Sequence, residues 1–276
     1  MLKRCALRLY GAVLLGALFG ASPAFAQFTP RPLNEPSVGE KYHIEGSTGF
    51  WSPSADMTIS SESLGIVGSA IDFKNDLGLT DQRFGELHAV LRPTEKQKLR
   101  FEYIPIKYTQ SATLTRSIVF NGQLYRFGVP TNSTLDWKAF RFAYEYDAFY
   151  RSRGFAGLII EAKYTDVKAS LTTTPPIISE FAHASAPIPA IGGIGRFYIV
   201  PSVSITGEYT AFKIPESISQ DYKAHYNDFD LYGTVNFTNN LGAKLGYRSL
   251  DLGYLVKRDT GSFTLRGIYF GVVARY

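Results

Sequence analysis

The sequence has a single cysteine in 276 residues, Cys5. That cysteine falls in a segment expected to be removed, so the mature chain has no disulfide framework. Its distance from the expected cleavage point also excludes a lipid anchor of the lipoprotein kind. Long runs of Lys and Arg are missing, which argues against nucleic acid as a partner. After residue 26 no apolar run approaches the roughly 20 residues of a membrane helix. Net charge is modest. The formal +5 includes three of the 29 basic residues and none of the 24 acidic ones in the first 26 positions, so the remainder carries 26 − 24 = +2.

Those first residues have an export pattern. Lys3, Arg4 and Arg8 form a positive start, GAVLLGALFG supplies the apolar run, and Ala24-Phe25-Ala26 gives small-x-small before Gln27. Residues 1–26 are therefore expected to be a signal peptide cleaved after Ala26. Residues 27–40, punctuated by Pro30, Pro32 and Pro36, are expected to be an extended periplasmic lead-in. Residues 41–276 are expected to form one domain.

The last stretch, SFTLRGIYFGVVARY, shows how that domain is built. Counting back by twos gives Tyr276, Ala274, Val272, Phe270 and Ile268, all apolar; the other parity (Arg275, Val273, Gly271, Tyr269, Gly267) is mixed and smaller. Side chains alternate across a strand, so one face suits lipid and the other a confined interior. A final strand ending on an aromatic residue resembles the closing strand of bacterial outer-membrane β-barrels. The resemblance implies that Ile268, Phe270, Val272, Ala274 and Tyr276 are the signal read by the barrel-assembly machinery.

The same alternation recurs upstream. Strands are predicted at about Lys41–Ser52, Arg83–Arg92, from Leu99, through Phe140–Ala148, Leu158–Thr165, Ile188–Ile199, Val203–Tyr209, Asp228–Phe237, Ala243–Arg248 and the closing stretch. Pro105 is expected to mark a bulge. The connections alternate short and long, the long ones being 53–82, 111–134, 172–187 and 215–224. Short periplasmic turns, long outer loops and an even strand number define the membrane barrel. An aromatic content of 14% suits its lipid-facing surface. A soluble β-sandwich would not account for aromatics on one parity and charges on the other, strand after strand. The fold class is thus all-β, a closed antiparallel up-and-down transmembrane β-barrel of ten strands, with eight or twelve as the neighbouring counts. The chain resembles the small barrels of the OmpA, OmpX and OmpW types, placing it in the outer membrane of a Gram-negative bacterium among phospholipid and lipopolysaccharide.

The inward parity carries charge of both signs: Glu45, Glu86, Arg100, Glu102, Arg141, Glu145, Asp147, Glu161, Lys163, Arg196, Glu208, Asp228, Asp230, Lys244 and Arg248. These residues either line a selective pore or fill a small barrel with ion pairs. The balance of signs favours filling. Expected pairs are Arg100 with Glu102, Arg141 with Glu145 and Glu161 with Lys163. Catalytic, cofactor and metal sites are not expected. His225-Tyr226-Asn227-Asp228 resembles the His-x-Ser of lipid A deacylases, but Asn227 stands where the nucleophile would be. Asp221, His225, Asp228 and Asp230 resemble an omptin Asp/His rim only in composition. His43, His88 and His183 have no metal-ligand spacing. In the outer loops, Asn121-Gly122 between alternating arms predicts a type I′ hairpin, and 68–79 leads through Ile71 and Phe73 into an acidic turn. The functional expectation is a non-catalytic envelope barrel with a structural or loop-binding role. A narrow solute channel is the alternative, and a lipid A-modifying or proteolytic enzyme a distant third.

Overall fold

The computed structural model describes residues 37–60, 66, 68–173, 178–214, 222–256 and 259–276. The expected signal peptide and most of the lead-in lie outside the described residues. Thirteen strands follow in chain order: β1 (Ile44–Ser60), β2 (Ile71–Asp72), β3 (Phe84–Thr94), β4 (Gln97–Thr113), β5 (Ile118–Phe120), β6 (Gln123–Tyr125), β7 (Pro130–Arg151), β8 (Gly154–Thr173), β9 (Ile178–Val200), β10 (Val203–Lys213), β11 (Tyr222–Asn236), β12 (Leu241–Val256) and β13 (Asp259–Arg275). Ten of them, all but β2, β5 and β6, pair each with the next in sequence. β13 then pairs back onto β1, from Glu45–Arg275 to Ser60–Thr260. The fold is a closed ten-stranded antiparallel barrel, as the alternation predicts.

The closing strand shows why the outward parity forms. Ile268, Phe270, Val272 and Tyr276 are exposed, while Tyr269 and Val273 between them are buried. Aromatic side chains continue around the outside, with Tyr103 stacked on Phe140 (ring centroids 4.6 Å apart) and Phe50 tilted on Phe270 (5.9 Å). An apolar belt edged by aromatics is what a bilayer selects on the outside of a barrel.

Several strands are much longer than a bilayer needs. β7, β8 and β9 run for 22, 20 and 23 residues, against the roughly 9–11 that span a membrane. Residues 172–187, expected as a long loop, are instead mostly strand: β8 continues to Thr173 and β9 starts at Ile178. The expectation failed because the pattern inverts along each strand. In β7, Phe142, Tyr144 and Tyr146 face outward, but towards the outer end the buried residues Leu135, Trp137 and Ala139 occupy the opposite parity. The same exchange occurs in β1 (Phe50 out, Ala55, Met57 and Ile59 in) and β12 (Leu245 and Tyr247 out, Leu250 and Leu252 in). Register does not slip at these places. Solvent changes from lipid to water outside the barrel, so apolar side chains move to the inside.

Pro105 makes no bulge. It pairs with Lys138 in unbroken register on β7, and it sits beyond Tyr103, the last β4 residue paired with β3. The proline thus costs no ladder bond on that edge. The register shifts fall at Leu91/Thr94, Tyr146/Phe149 and Val203/Ser204, all beside short turns.

The outer mouth is capped by the first two long connections. In the first, Ile71, Phe73, Leu77 and Leu79 are buried in the same apolar core as Met57, Tyr108, Trp137 and Phe263. In the second, β5 and β6 form a hairpin whose Ile118, Phe120 and Tyr125 join that core. Asn121 (φ 48°) and Gly122 (φ 80°) have the two positive φ angles of the type I′ turn. The two connections are clasped together, Arg116 donating to both Asp76 oxygens at 2.7 Å.

Candidate functional site

The inside of the barrel is two stacked fillings: the apolar core under the cap, and below it a cluster of charges within the membrane-spanning section. Strand alternation points the charged residues inward, and barrel closure brings distant strands within reach of one another. Arg248 on β12 lies near the centre and is 1% exposed. Its Nη1 is 3.1 Å from Glu86 Oε2 on β3 and 2.8 Å from Glu102 Oε1 on β4. Its Nη2 is 3.0 Å from Asp230 Oδ2 on β11, whose other oxygen accepts from Tyr269 at 2.7 Å. The guanidinium also lies 5.0 Å from the Tyr269 ring and 5.6 Å from the Trp51 ring. One cation therefore ties together four strands.

Arg141 on β7 reaches Glu102 (3.3 Å) and is in close contact with Asp228. Lys163 on β8 bridges Glu161 (2.7 Å) and Asp228 (2.8 Å) and donates to Thr210 (2.9 Å). Towards the periplasmic end, Arg100 spans from Glu145 (3.1 Å) to Glu208 (2.8 Å). Lys98 holds Glu145 (2.6 Å) and Asp147 (2.9 Å) together, with its Nζ 3.7 Å from the Phe155 ring centre. Lys244 stands 3.7 Å from Glu86.

Of the pairs expected from sequence spacing, Glu161 with Lys163 is formed. Arg100 pairs with Glu145 and Glu208 rather than Glu102, and Arg141 with Glu102 and Asp228 rather than Glu145. Residues two apart on one strand point the same way, but the better partner is often on the next strand or across the lumen.

Sequence reasoning also missed members. Lys98, one residue before the strand expected from Leu99, is the first inward position of β4. Arg275 follows from the closing-strand parity and binds Glu45 at 2.6 Å. Glu40 was placed in the lead-in. It folds into the periplasmic mouth, where Oε1 accepts from Arg196 at 2.7 Å and from Tyr198 at 2.5 Å. The strap around it is tied down by Val38 N to Pro201 O (2.7 Å) and Asn236 Nδ2 to Val38 O (2.6 Å).

A space of about 580 Å³ opens at the periplasmic mouth, lined by Glu40, Tyr42, Arg92 and Tyr150 among others. A polar cavity of about 70 Å³, lined by Glu102, Arg141, Glu161 and Asp228 among others, interrupts the cluster. That is room for about five water molecules. Asp228 Oδ1 and Arg141 Nε are buried with no hydrogen-bond partner among the described residues, so bound water would suit both.

Folding also assembles a trio that the spacing of histidines did not suggest. His88 lies 3.4 Å from both Glu86 and Glu102, a set with metal-ligand chemistry. The set does not fit a metal, because Arg248 already contacts both carboxylates and Lys244 and Arg141 stand beside them. A further dication there would meet three positive side chains.

Among the described residues, the rim histidine and the acids of β11 do not come together. His225 is exposed, 3.3 Å from Asp251, on the outward parity of β11, whereas Asp228 and Asp230 are buried inside and engaged with Lys163, Arg141 and Arg248. Asp221 lies outside the described residues. In the cap, the paired hydrogen bonds from Arg116 hold the Asp76 carboxyl below the usual carboxylate range, against the opposing effect of burial.

No family model matches the chain, and no curated protein matches it. Among solved structures it is similar to the outer membrane protease OmpT of Escherichia coli. The identity is 9%, the TM-score is 0.54, and the match covers 89% of this chain and all of the other. It also matches Ail, the attachment invasion locus protein of Yersinia pestis, solved with the heparin analogue sucrose octasulfate (9% identity, 83% and 99% covered, TM-score 0.37). A third is the toluene transporter TodX of Pseudomonas putida (8%, 85% and 90% covered, TM-score 0.34). At such identities the likeness to OmpT bears on the fold alone. Together with the lipid-facing belt, it defines the chain as a small β-barrel of the bacterial outer-membrane type.

Proposed function

We propose that the protein is a sealed, non-catalytic barrel of the Gram-negative outer membrane, whose work is done by its outer surfaces rather than through its lumen. The filled interior carries this reading. From the charge cluster to the capped apolar core, polar and apolar side chains occupy the axis, with a cavity of about 70 Å³ inside the cluster; the wider space of about 580 Å³ lies at the periplasmic mouth beside Glu40. A solute crossing it would have to separate buried ion pairs, at several kcal/mol for each charge left alone. The likeness to a protease supplies no residue here, since His225 and the acids Asp228 and Asp230 face opposite sides of the wall. Export through a signal peptide cleaved after Ala26 belongs to the same reading and rests on the pattern of residues 1–26. Liposomes reconstituted with the purified barrel test it. Retention of entrapped small sugars and ions at the rate of empty liposomes is expected. Rapid, protein-dependent release would make the protein a channel.

A further inference from the structure

We propose that the buried trio of Lys98, Glu145 and Asp147 is a site of covalent self-modification, at which the Lys98 amine and the Asp147 carboxyl condense to an isopeptide bond joining β4 to β7. Lys98 stands opposite Glu145 in the ladder, and Asp147 follows two positions on, on the same inward face of β7. All three side chains are buried, Asp147 completely. Lys98 Nζ is 2.9 Å from Asp147 Oδ2, 2.6 Å from Glu145 Oε1 and 3.7 Å from the centre of the Phe155 ring. Reacting groups held about 3–3.5 Å apart have already met much of the entropic cost of a bimolecular step. Asp147 is held for attack rather than for hydrogen bonding. Neither of its oxygens has a hydrogen-bond partner among the described residues, although Nζ is so near. Its main chain is pinned by Asp147 N to Lys96 O at 2.8 Å. It sits where β7 leaves its register with β8, and a Cβ on Gly157 would come within 2.9 Å of its Oδ1. That glycine leaves the carboxyl its room.

The neighbouring charges assign the roles. Arg100 binds Glu145 at 3.1 Å, so Glu145 keeps its negative charge, whereas Asp147 has Lys98 as its cation. A proton moved from Lys98 to Asp147 neutralises that pair, which burial away from water favours. An amine and a carboxylic acid are then in contact, and a desolvated lysine amine is a nucleophile. Its nitrogen attacks Asp147 Cγ. Glu145 Oε1 takes a proton from the nitrogen and passes it to the departing hydroxyl, which leaves as water. One C–N bond forms and one C–O bond breaks, with no oxidant or activating group required. Lys163 stands between Glu161 and Asp228 in a similar way, but there Arg141 also contacts the aspartate and Lys163 donates to Thr210. Asp228 stays charged, so the Lys98 trio alone reacts. The bond closes the β4–β7 hairpin at its periplasmic end.

The test follows the full chain as it refolds from urea-dissolved inclusion bodies into detergent, starting unlinked. Tryptic peptides sampled over time are read by mass spectrometry. The expected product joins residues 97–100 to residues 142–151 with loss of one water molecule, wherever the chain is processed at its start. Lys98→Arg keeps the positive charge and should give none of this product. Glu145→Gln keeps both reacting groups and should form it about a hundredfold more slowly. Heat-modifiability confirms that each variant folds, and the native protein alone decides whether the bond exists if one does not. Only unlinked peptides from the folded native barrel would overturn the proposal. So would an unchanged rate in Glu145→Gln, or a link at Lys163 with none at Lys98.

Discussion

Trp137 and Arg141 point inward from the same face of β7 with only Ala139 between them, yet one lies in the apolar core and the other in the charge cluster. The boundary between the two fillings is thus about two inward residues thick. It falls where the outside of the same strand changes from Phe142 and Phe140 to Lys138 and Asp136. Inside and outside exchange polarity at one level. Charges are held inside where lipid surrounds the barrel, and apolar groups are buried where water does.

Phe142 and Phe127 test that boundary with one chemical change. Both are exposed, 55% and 69%, but Phe142 faces the belt and Phe127 lies in the outer cap connection. Phe142→Arg should lower stability by about 2–4 kcal/mol. Phe127→Arg should stay within about 0.5 kcal/mol of wild type. Urea midpoints in lipid vesicles measure both, and similar midpoints would mean that the belt is misplaced.

This polarity exchange also explains how much of the barrel was legible in the sequence. Strand number, the parity of the membrane section and the Asn121-Gly122 turn could be read, because period-two alternation against lipid is a strong local signal. Residues 172–187 are expected as loop, although β8 runs to Thr173 and β9 starts at Ile178, because in the outer part of β8 the apolar parity is the opposite one (Ala169 and Leu171 are buried) and is diluted by Ser and Thr. The cross-lumen partners were not legible at all. Arg248 and Glu86 are 162 positions apart, and only closure of the sheet makes them neighbours.

Within the cluster, Arg248 should matter more than Arg141. Arg248→Ala strips Glu86, Glu102 and Asp230 of their shared partner, leaving Glu86 with Lys244 at 3.7 Å. A loss of about 3–5 kcal/mol is expected. Arg141→Ala should cost less, because Glu102 retains Arg248 and Asp228 retains Lys163. Unfolding midpoints that reverse this order would contradict the network.

The cap should respond to acid through Asp76. Its carboxyl titrates below the ordinary value because Arg116 binds it in the folded cap. The stabilisation is therefore complete above the unfolded carboxylate pKa of about 3.9 and is lost as pH falls through the lower folded value. Limited proteolysis of the outer connections should accelerate only below about pH 4. Asp76→Asn should show the faster cleavage at neutral pH with little further change in acid. Acceleration already at pH 6 in the wild type would assign the response to another group.

Assembly should depend on residue 276. The backbone of Tyr276 accepts from His43 (2.8 Å) and Ile44 (2.9 Å) and donates to Ile44 O (2.8 Å), pinning the seam where β13 meets β1. Deleting Tyr276, or replacing it with Asp, should reduce the heat-modifiable, protease-resistant barrel recovered from membranes. Undiminished recovery would show that the seam closes without it.

Single-channel recording across planar bilayers tests the sealed lumen most directly. The native barrel should add no steady conductance to the bilayer, and neither should the Arg141→Ala variant at a pH and temperature where it remains folded. A stable open level in the native protein, with Arg141→Ala changing its ion selectivity and leaving its unfolding midpoint unmoved, would contradict a filled interior.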